Sequence, residues 1–316
     1  MSLLNTPDWA ARHNYFWHSN PRSKPRDKTF YDKVYVRPIL ERAWSTYKNE
    51  ESTGEEKRFA WQTITLFDSK INGQDNANML CGRLVQQAAD QVLIDNQDQA
   101  AAINSSIIEL NLYKPRTWDD DVDYKKHEFF KDEFEKVVEH SIAGLKEAMH
   151  QDNRVIGEIE LIKKMPGIAL PHNTRPDYNR RGDLKTKWSK VSKVAKSGFA
   201  SSSISSSLAS NDFNDSALYQ VAGFWALNGH QPPFIVYANA KDYKVFTPDN
   251  TPELRDDYLG EIVQDIIRYH KTTERMLRSS ETRDELFEYV NPNFKSFYWN
   301  EPPAYLAEAK KIWGVS

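Results

Sequence analysis

The stretch from Arg175 to Lys190 constrains the fold of this 316-residue chain more tightly than any other. It reads R-P-D-Y-N-R-R-G-D-L-K-T-K-W-S-K, in which a turn-forming segment separates Asp177 from Asp183. A three-residue loop at residues 179–181 would set the two aspartates opposite one another, with Cβ atoms roughly 4.5–5.5 Å apart. Lys185 would project to the same face as Asp183, because strand side chains alternate with a period of two. The stretch therefore predicts a hairpin that brings two carboxylates and an ammonium together.

Two carboxylates at that separation can share one hard cation. Mg²⁺ prefers oxygen ligands and usually takes one or two protein carboxylates, leaving the rest of its shell to water and substrate phosphate. An ammonium beside such an ion can orient a water or help to deprotonate it, so the arrangement suits metal-assisted attack on a phosphodiester. The alternative is an ordinary polar hairpin with a solvated turn, since the triplet D-x-K also occurs by chance in chains of this length.

The composition is typical of a soluble globular protein, with 39% apolar and 28% charged residues. No run of about 18 apolar residues is present, and the N-terminus lacks the basic flank and apolar core of a secretory signal. Cys81 is the single cysteine, which excludes an internal disulfide and a multi-cysteine zinc or iron–sulfur site and favours a reducing compartment. We therefore expect a cytoplasmic protein, in the host-cell cytoplasm if it is viral, that is not secreted and does not enter a membrane.

Positive charge is concentrated around the two aspartates, although the net charge of the chain is −3. Residues 175–196 hold eight basic residues and two acidic ones. A basic stripe beside a cation site suits the phosphates of a nucleic acid, and a solvated lysine-rich face is the alternative. The candidate phosphate contacts are Arg180, Arg181, Lys187, Lys190 and Lys193. Tyr178 and Trp188 are candidates for stacking on unpaired bases, with ordinary packing as the alternative for each.

Apolar residues recur at helical spacing in four segments. The predicted helices cover residues 76–94, 131–149, 216–228 and 254–277. An acidic segment, residues 118–123, is expected to be a loop. Before residue 76 the pattern is mixed, and the prolines there predict short helices. We expect an irregular or helical N-terminal region (1–75), a core (76–280) and a C-terminal tail (281–316) that packs back on the core.

β-Branched and apolar runs predict strands after residue 154. The predicted strands cover residues 155–162, 168–177, 183–188, 234–240 and 243–246. Glu158 and Glu160 would share one face of the first strand, and one of them, for which we prefer Glu160, could turn toward the aspartate pair. The alternative is an exposed glutamate at a strand edge. The serine-rich segment 197–215 predicts a mobile loop, and Gln220 on the next helix would lie off its apolar stripe.

The order of helix, helix, three strands, helix and strand, with the carboxylates on the second and third strands, resembles the PD-(D/E)XK nuclease superfamily. The matching residues are Pro176-Asp177, Asp183-Leu184-Lys185-Thr186, Q-V-A-G-F-W-A-L-N-G from Gln220 and P-P-F-I-V-Y-A from Pro232. Within it the chain resembles the RecB-like exonucleases, the group that includes the mitochondrial genome maintenance exonuclease and related phage exonucleases. The resemblance covers about residues 76–277. It implies an α/β, restriction-endonuclease-like core: a small mixed sheet flanked by helices, with an added helical N-terminal region.

The resemblance also implies a role for each candidate residue. The metal ligands would be Asp177, Asp183, the carbonyl of Leu184 and Glu160. Lys185 would position the nucleophilic water, and Gln220 would brace the site near Lys185 or near the substrate. Where many relatives have a histidine four residues after a helix glycine, this chain has Gln86. An amide is a weaker metal ligand than an imidazole, so Gln86 is expected to hydrogen-bond, and Mg²⁺ is favoured, with Mn²⁺ as the other candidate.

The activity implied is that of a Mg²⁺-dependent deoxyribonuclease, an exonuclease that acts on free, single-stranded DNA ends in replication, recombination or degradation. The alternative is a nuclease-like fold that only binds DNA or a partner protein. No nucleotide cofactor is expected, because the sequence contains no G-x-x-x-x-G-K-[ST]. A serine or cysteine hydrolase is disfavoured, because there is no G-x-S-x-G and Cys81 falls on an apolar helix face.

Overall fold

The computed structural model describes residues 17–21, 25–67, 75–113, 120–192, 198–208 and 214–315. These residues form a mixed α/β protein in which helices predominate and the sheets are small, which confirms the predicted class. The chain divides into two compact units, each assembled from segments that are distant in sequence. The first takes residues 1–74, 164–172 and 266–316, and the second takes residues 75–163 and 173–265.

The helices and strands follow one another along the described chain. The helices are α1 (Arg26–Phe30), α2 (Arg37–Lys48), α3 (Gly54–Leu66), α4 (Ala77–Leu93), α5 (Gln99–Asn111), α6 (Asp120–Ala148), α7 (Asn214–Leu227), α8 (Asp256–Ser279), α9 (Arg283–Glu288) and α10 (Pro303–Ile312). The strands are β1 (Leu161–Lys163), β2 (His172–Thr174), β3 (Gly182–Thr186), β4 (Lys190–Val191), β5 (Phe199–Ala200), β6 (Phe234–Ala238) and β7 (Tyr243–Phe246). The four predicted helices are confirmed as α4, α6, α7 and α8, whereas α3 and α5 were not predicted. Among the described helices, none combines the length and the apolar character needed to cross a membrane.

The N-terminal helices are longer than the prolines predict. A π-helical segment, Tyr31–Val36, joins α1 to α2, so the chain is helical from residue 26 to residue 48. Pro38 is the second residue of α2, directly after this segment. Proline lacks an N–H and crowds the carbonyl four residues earlier, and the wider π-helical turn before it accommodates both constraints. The start of α3 has a capping box, in which Glu56 N donates to Thr53 Oγ1 at 3.2 Å and Thr53 N donates to Glu56 Oε2 at 2.7 Å.

The C-terminal tail shares a hydrophobic core with the N-terminal helices. This core contains Tyr31, Leu286, Trp299 and Tyr305, and the Tyr31 ring lies 5.6 Å from the Trp299 ring and 5.4 Å from the Tyr305 ring. We expected residues 281–316 to pack on the core region 76–280. The tail belongs to the first unit, where its aromatic side chains pack against aromatic side chains of the N-terminal region and share a core with Leu277 of the predicted core region.

A three-stranded mixed sheet, in the order β3-β6-β7, forms the centre of the second unit. β3 and β6 run parallel, with Asp183 opposite Ile235 and Lys185 opposite Tyr237, and β7 runs antiparallel to β6. All five side chains of β6 are buried, as is typical of a strand covered on both faces. α6 packs on this sheet at Gly144, where an added Cβ would lie only 2.7 Å from Val236 Cγ1. The absence of a side chain there allows the close approach.

Two predicted boundaries are wrong. β2 ends at Thr174, so Asp177 lies in the turn before β3 and not on a strand, and β1 pairs with β2 in a separate two-stranded sheet. α6 begins at Asp120, so the acidic loop expected at residues 118–123 is helical in its described part. Asp123 is buried there because its carboxylate accepts a hydrogen bond of 2.8 Å from Ala77 N, at the start of α4.

Part of the serine-rich segment, expected to be mobile, is tied to the second unit. β5 pairs with β4, Ser202 Oγ donates to Lys187 O at 2.9 Å, and Asn239 Nδ2 donates to Ser202 O at 3.2 Å. The apolar Ile204 and Leu208 between the serines are buried, which explains why the composition alone was misleading. Residue 197 and residues 209–213 of the predicted loop lie outside the described residues.

Candidate active site

The predicted hairpin forms between β2 and β3. Tyr178 and Gly182 pair in an antiparallel bridge, and Asp177 N and Tyr178 N both donate to Gly182 O, at 2.9 and 3.2 Å. Asn179 and Arg180 have φ angles of 47° and 60°, a left-handed conformation that asparagine tolerates better than most residues. The three-residue loop expected at residues 179–181 is therefore confirmed.

Polar contacts that the sequence did not reveal hold this hairpin in place. Asn179 Nδ2 donates to Asp152 Oδ2 at 2.7 Å, and Ile156 N donates to Asn179 Oδ1 at 2.6 Å. Arg181 Nη2 donates to both carboxylate oxygens of Asp152, at 2.9 and 2.8 Å, and its guanidinium lies 5.0 Å from the centre of the Phe234 ring. Arg181, expected to bind DNA phosphates, is thus engaged in holding the hairpin.

The hairpin brings the two aspartates into one buried pair. Asp183 is fully buried on β3, and Asp177 Oδ2 accepts a hydrogen bond of 2.8 Å from Leu184 N. Burial, followed by repulsion from Asp183, raises the pKa of Asp177 from 3.8 to about 7, and the Lys185 ammonium opposes this rise. Burial also raises the pKa of Asp183, again against the opposing effect of Lys185. Without a cation, the pair therefore retains a proton up to about neutral pH.

Lys185 and Gln220 complete the constellation. Lys185 Nζ lies 2.8 Å from Asp183 Oδ1 and 2.7 Å from Asp183 Oδ2, and it donates to Gln220 Oε1 at 2.9 Å. Gln220 comes from α7, whose other face buries Val221 and Ala222. The structure therefore brings together four of the residues predicted from the sequence, on a turn, a strand and a helix.

The donor set fits one hard divalent cation. Leu184 N points toward Asp177, and in a strand the carbonyl of a residue projects to the same edge as its N–H. β3 is an edge strand of its sheet, so the Leu184 carbonyl lies on the side of the aspartates. Two carboxylates and one carbonyl leave the remaining positions of a Mg²⁺ shell to water and substrate oxygen atoms. In the described part of the chain, no group of three or more histidine, cysteine or acidic side chains is arranged to hold a metal ion.

Glu160, the acidic residue that we preferred as a further ligand, is not brought to the pair. Its Oε1 accepts hydrogen bonds from Asn173 Nδ2 at 2.8 Å and from Arg175 Nη2 at 3.0 Å. Glu158 lies on the same face, 3.8 Å from Arg175 Nη1, and it is the glutamate whose charge contributes to the raised pKa of Asp177. Both glutamates precede β1, which begins at residue 161. Glu158 is therefore the accessory carboxylate whose charge acts on the pair, and it is half exposed.

Gln86 is half-buried on α4, and this helix passes beside β3, since a Cβ added at Gly82 would lie 3.6 Å from Thr186 Oγ1. One turn beyond Gln86 the structure reveals Asp90, which we did not predict. Burial raises the pKa of Asp90 to about 6, and its charge contributes to the raised pKa of the Tyr178 hydroxyl. The four-residue spacing from Gln86 was the only signal in the sequence.

Several of the expected nucleic-acid contacts are not available for that role. Tyr178 is fully buried, and Lys187 and Trp188 are 7% and 6% exposed. Trp188 Nε1 donates to Thr186 Oγ1 at 3.1 Å, and the Lys187 ammonium lies 5.4 Å from the centre of the Tyr237 ring. The burial of these side chains inside the second unit argues against base stacking by Tyr178 or Trp188 and against phosphate binding by Lys187.

Arg175, Arg180 and Lys190 are the members of the predicted stripe that are exposed in the described structure, and Arg175 forms an ion pair with Glu160. Lys193 lies outside the described residues. Among its described residues the stripe is therefore reduced to three exposed cations, one of them in an ion pair, which is a smaller phosphate-binding surface than the sequence indicated.

Comparison of the chain with protein-family models, with curated proteins and with solved structures found no match. The resemblance to the PD-(D/E)XK nucleases therefore stays a prediction from the sequence.

The buried aspartate pair predicts a specific pH dependence of stability. Because the folded pKa of Asp177 is raised above 3.8, the folded protein holds a proton that the unfolded chain releases, and the free energy of unfolding falls as the pH rises from about 4 to about 7. Urea unfolding in EDTA at pH 5 and pH 8 should show a larger loss for wild type than for Asp177→Asn, which keeps an acceptor for Leu184 N. Other titrating groups, including Asp90, are common to both proteins. Equal losses in the free energy of unfolding for the two proteins would mean that ionisation of Asp177 does not destabilise the folded state.

Proposed function

We propose that this chain is a metal-dependent nuclease that hydrolyses phosphodiester bonds in DNA, acting on free ends. The observation that supports the proposal is the position of Lys185 Nζ, which lies within 2.9 Å of both Asp183 and Gln220 beside the buried aspartate pair. An ammonium fixed at two points next to two carboxylates is an arrangement suited to metal-assisted phosphodiester hydrolysis.

Asp177, Asp183 and the Leu184 carbonyl would hold the ion. When bound, it polarises a phosphoryl oxygen and lowers the pKa of a coordinated water. A lysine ammonium has three N–H donors, and the contacts with Asp183 and Gln220 account for two of them. The third donor of Lys185 orients the attacking water. The water gives up a proton to solvent as its oxygen bonds to phosphorus. The bond to the leaving 3′-oxygen breaks, and this oxygen takes up a proton from solvent, giving a 5′-phosphate and a 3′-hydroxyl.

The preference for free, single-stranded ends is the part of the proposal carried by the family resemblance. The stacking residues that favoured single strands are buried, so aromatic contacts no longer support it. Arg180 and Lys190 supply the exposed positive charge for backbone phosphates, a contribution that weakens with salt. The second candidate, a nuclease-like module that binds DNA without cutting it, is supported by Gln86 at the position of the relatives' histidine and by the distance of Glu160 from the pair.

The decisive experiment compares wild type with Lys185→Ala on end-labelled linear DNA, single- and double-stranded, and on closed circles, with Mg²⁺ or EDTA. We expect wild type to degrade linear DNA only with the metal and to spare the circles. Lys185→Ala should lose about 10²–10⁴-fold in rate, the usual contribution of a group that positions or activates the nucleophile, and still bind DNA. The product ladder gives the polarity.

Lys190→Ala is the matched control, since it removes an exposed lysine from the same stretch. It should weaken DNA binding modestly and leave the cleavage rate at saturating DNA unchanged. If wild type binds DNA yet cuts nothing with Mg²⁺ or Mn²⁺, the nuclease assignment is wrong and the binding-module function replaces it.

A further inference from the structure

The first unit contains a buried cluster of histidines that the proposed nuclease site does not use. His18, His172 and His270 are each at most 4% exposed. His172 Nδ1 lies 2.9 Å from His270 Nε2, and the His18 ring stacks on the His270 ring at 3.9 Å between centroids. Glu274 accepts a hydrogen bond from His18 Nε2 at 3.0 Å. Three imidazoles buried together are costly unless their polar atoms have partners.

One carboxylate oxygen of Glu274 already accepts three hydrogen bonds from the protein. Its Oε1 accepts hydrogen bonds from Ala169 N and Leu170 N, at 2.8 and 2.9 Å, in addition to the contact with His18. These partners lower the pKa of Glu274 against the opposing effect of burial. Glu274 therefore serves as the hydrogen-bond acceptor of His18 within the cluster.

A cavity of about 30 Å³ opens beside the cluster. Its walls include Trp17, His18, Arg26, Lys33 and His270, and among the described residues no aspartate or glutamate lines it. A single water needs about 10–15 Å³, so the cavity has room for a small polyatomic group. Two cationic side chains and two histidines around a space without acidic residues make the cavity electropositive.

Two polar atoms at this cavity have no hydrogen-bond partner among the described residues: Arg26 Nε and His270 Nδ1. Arg26 also lies over the Tyr269 ring, with Cζ 4.1 Å from its centre, which fixes the plane of the guanidinium. His270 is 1% exposed, and its Nε2 is engaged with His172, so Nδ1 is the polar atom that it can present to the cavity.

The pair formed by His172 and His270 can supply a hydrogen-bond donor while both rings are neutral. If His172 Nδ1–H donates to His270 Nε2, the neutral His270 ring carries its own proton on Nδ1. Burial is the main cause that lowers the pKa of His172 to about 3 and that also lowers the pKa of His270, so both rings are neutral at physiological pH. An acceptor in the cavity selects this tautomer, because only then does Nδ1–H have a partner.

We propose that this cavity binds a small oxyanion of the phosphate type, either free or as the terminal group of a larger molecule. Arg26 supplies a charge-assisted N–H, His270 supplies a neutral N–H, and Lys33 supplies further positive charge. Planar guanidinium groups are well suited to phosphate oxygen atoms. The inference is independent of the proposed nuclease activity, since it uses residues of the first unit alone.

Isothermal titration calorimetry of the full chain with sodium sulfate and with inorganic phosphate tests the proposal, with sodium chloride at matched ionic strength as the reference. Direct titration is preferable to a melting temperature, because sulfate stabilises folded proteins generally. We expect saturable one-to-one binding of both anions. Arg26→Met should weaken it about 10-fold or more, the loss associated with one hydrogen bond to a charged group.

Arg58→Met is the matched control, because Arg58 is 65% exposed on α3 and does not line the cavity. It should bind both anions as wild type does. If Arg26→Met does not fold, Lys33→Met provides the same comparison. Absence of saturable binding to wild type, or equal binding by the cavity variant and the control, overturns the proposal.

Binding of paired ligands that differ only in the phosphate group shows whether the cavity takes a free anion or a terminal phosphate. A mononucleotide is compared with its nucleoside, and a 5′-phosphorylated oligonucleotide with its 5′-hydroxyl form. A gain on phosphorylation that Arg26→Met removes identifies a terminal phosphate as the ligand. Equal binding within each pair, with inorganic phosphate still bound, identifies the free anion.

Discussion

Replacing Asp183 with asparagine is expected to abolish DNA cleavage and to leave the metal-free protein at pH 8 at least as stable as wild type. Asp183 is fully buried, and its carboxylate faces Asp177, whose pKa it raises. Asparagine removes this like-charge repulsion and keeps an oxygen acceptor for Lys185. The ammonium is not stranded, because the Lys185 side chain is 24% exposed and retains Gln220 as a partner.

The two expected effects have opposite signs, and that separates a catalytic role from a structural one. Loss of one preorganised electrostatic contact lowers the rate about 10²–10³-fold, and loss of a metal ligand should lower it at least as much. If Asp183 served as the structural partner of a buried salt bridge, its removal would cost about 3–5 kcal/mol of stability. Active sites commonly reduce stability in favour of function, so a stable, inactive variant is the outcome that supports the proposal.

Cleavage of end-labelled DNA with Mg²⁺ gives the first effect, and urea unfolding in EDTA gives the second. Asp249→Asn is the control, since Asp249 is exposed in the loop after β7. It should change neither quantity by more than the scatter between surface variants, about 0.5 kcal/mol in stability. If the Asp183→Asn variant still cleaves DNA and is less stable than wild type, the assignment of Asp183 as a metal ligand is contradicted.

The hairpin that carries the aspartates could be predicted because its determinants are local. Asn179, a residue type that tolerates left-handed φ, favours the turn within a few residues of the carboxylates. The period of two then places Lys185 with Asp183. Gln220 likewise lies off the apolar stripe of α7, and its side chain contacts Lys185. In each case the information lies within one turn or one helix.

The parts that could not be predicted depend on partners far away in sequence. Glu160 is held by Asn173 and Arg175, which follow it by more than ten residues. Lys187 and Trp188 continue the apparent basic stripe, but packing against residues of other elements buries them. A charge count cannot distinguish a lysine that faces solvent from one that lies over the Tyr237 ring. The core of the first unit is a further example, since it joins residues of the N-terminal helices to residues after position 276.

Gly182→Ala is expected to destabilise the second unit by about 1–3 kcal/mol, the usual cost of overpacking a filled core. Gly182 lies directly opposite Phe234 in the parallel pairing of β3 with β6. A Cβ at this position would lie 2.1 Å from Phe234 Cζ and 2.4 Å from Cε2. Phe234 is fully buried, so the ring cannot swing into solvent, and either the ring or β3 must shift.

Urea unfolding of Gly182→Ala, with Gly260→Ala as the matched control, measures this cost. Gly260 lies inside α8, and a Cβ added there meets nothing within 4 Å, so alanine should stabilise the helix by about 0.5–1 kcal/mol. The same chemical change should therefore act with opposite signs at the two glycines. Equal effects would mean that the Phe234 ring does not cover Gly182.

A double-mutant cycle with Phe234→Leu identifies the cause of the loss. If the ring collides with the new methyl group, the double variant should be more stable than the two single losses predict, because the smaller side chain leaves room for it. The cleavage rate should follow the same pattern, since Asp183 is the next residue along β3 and moves with Gly182. Recovery of stability without recovery of cleavage would mean that the aspartate is positioned by the hairpin alone, and recovery of both would mean that β6 positions it through the Phe234 ring.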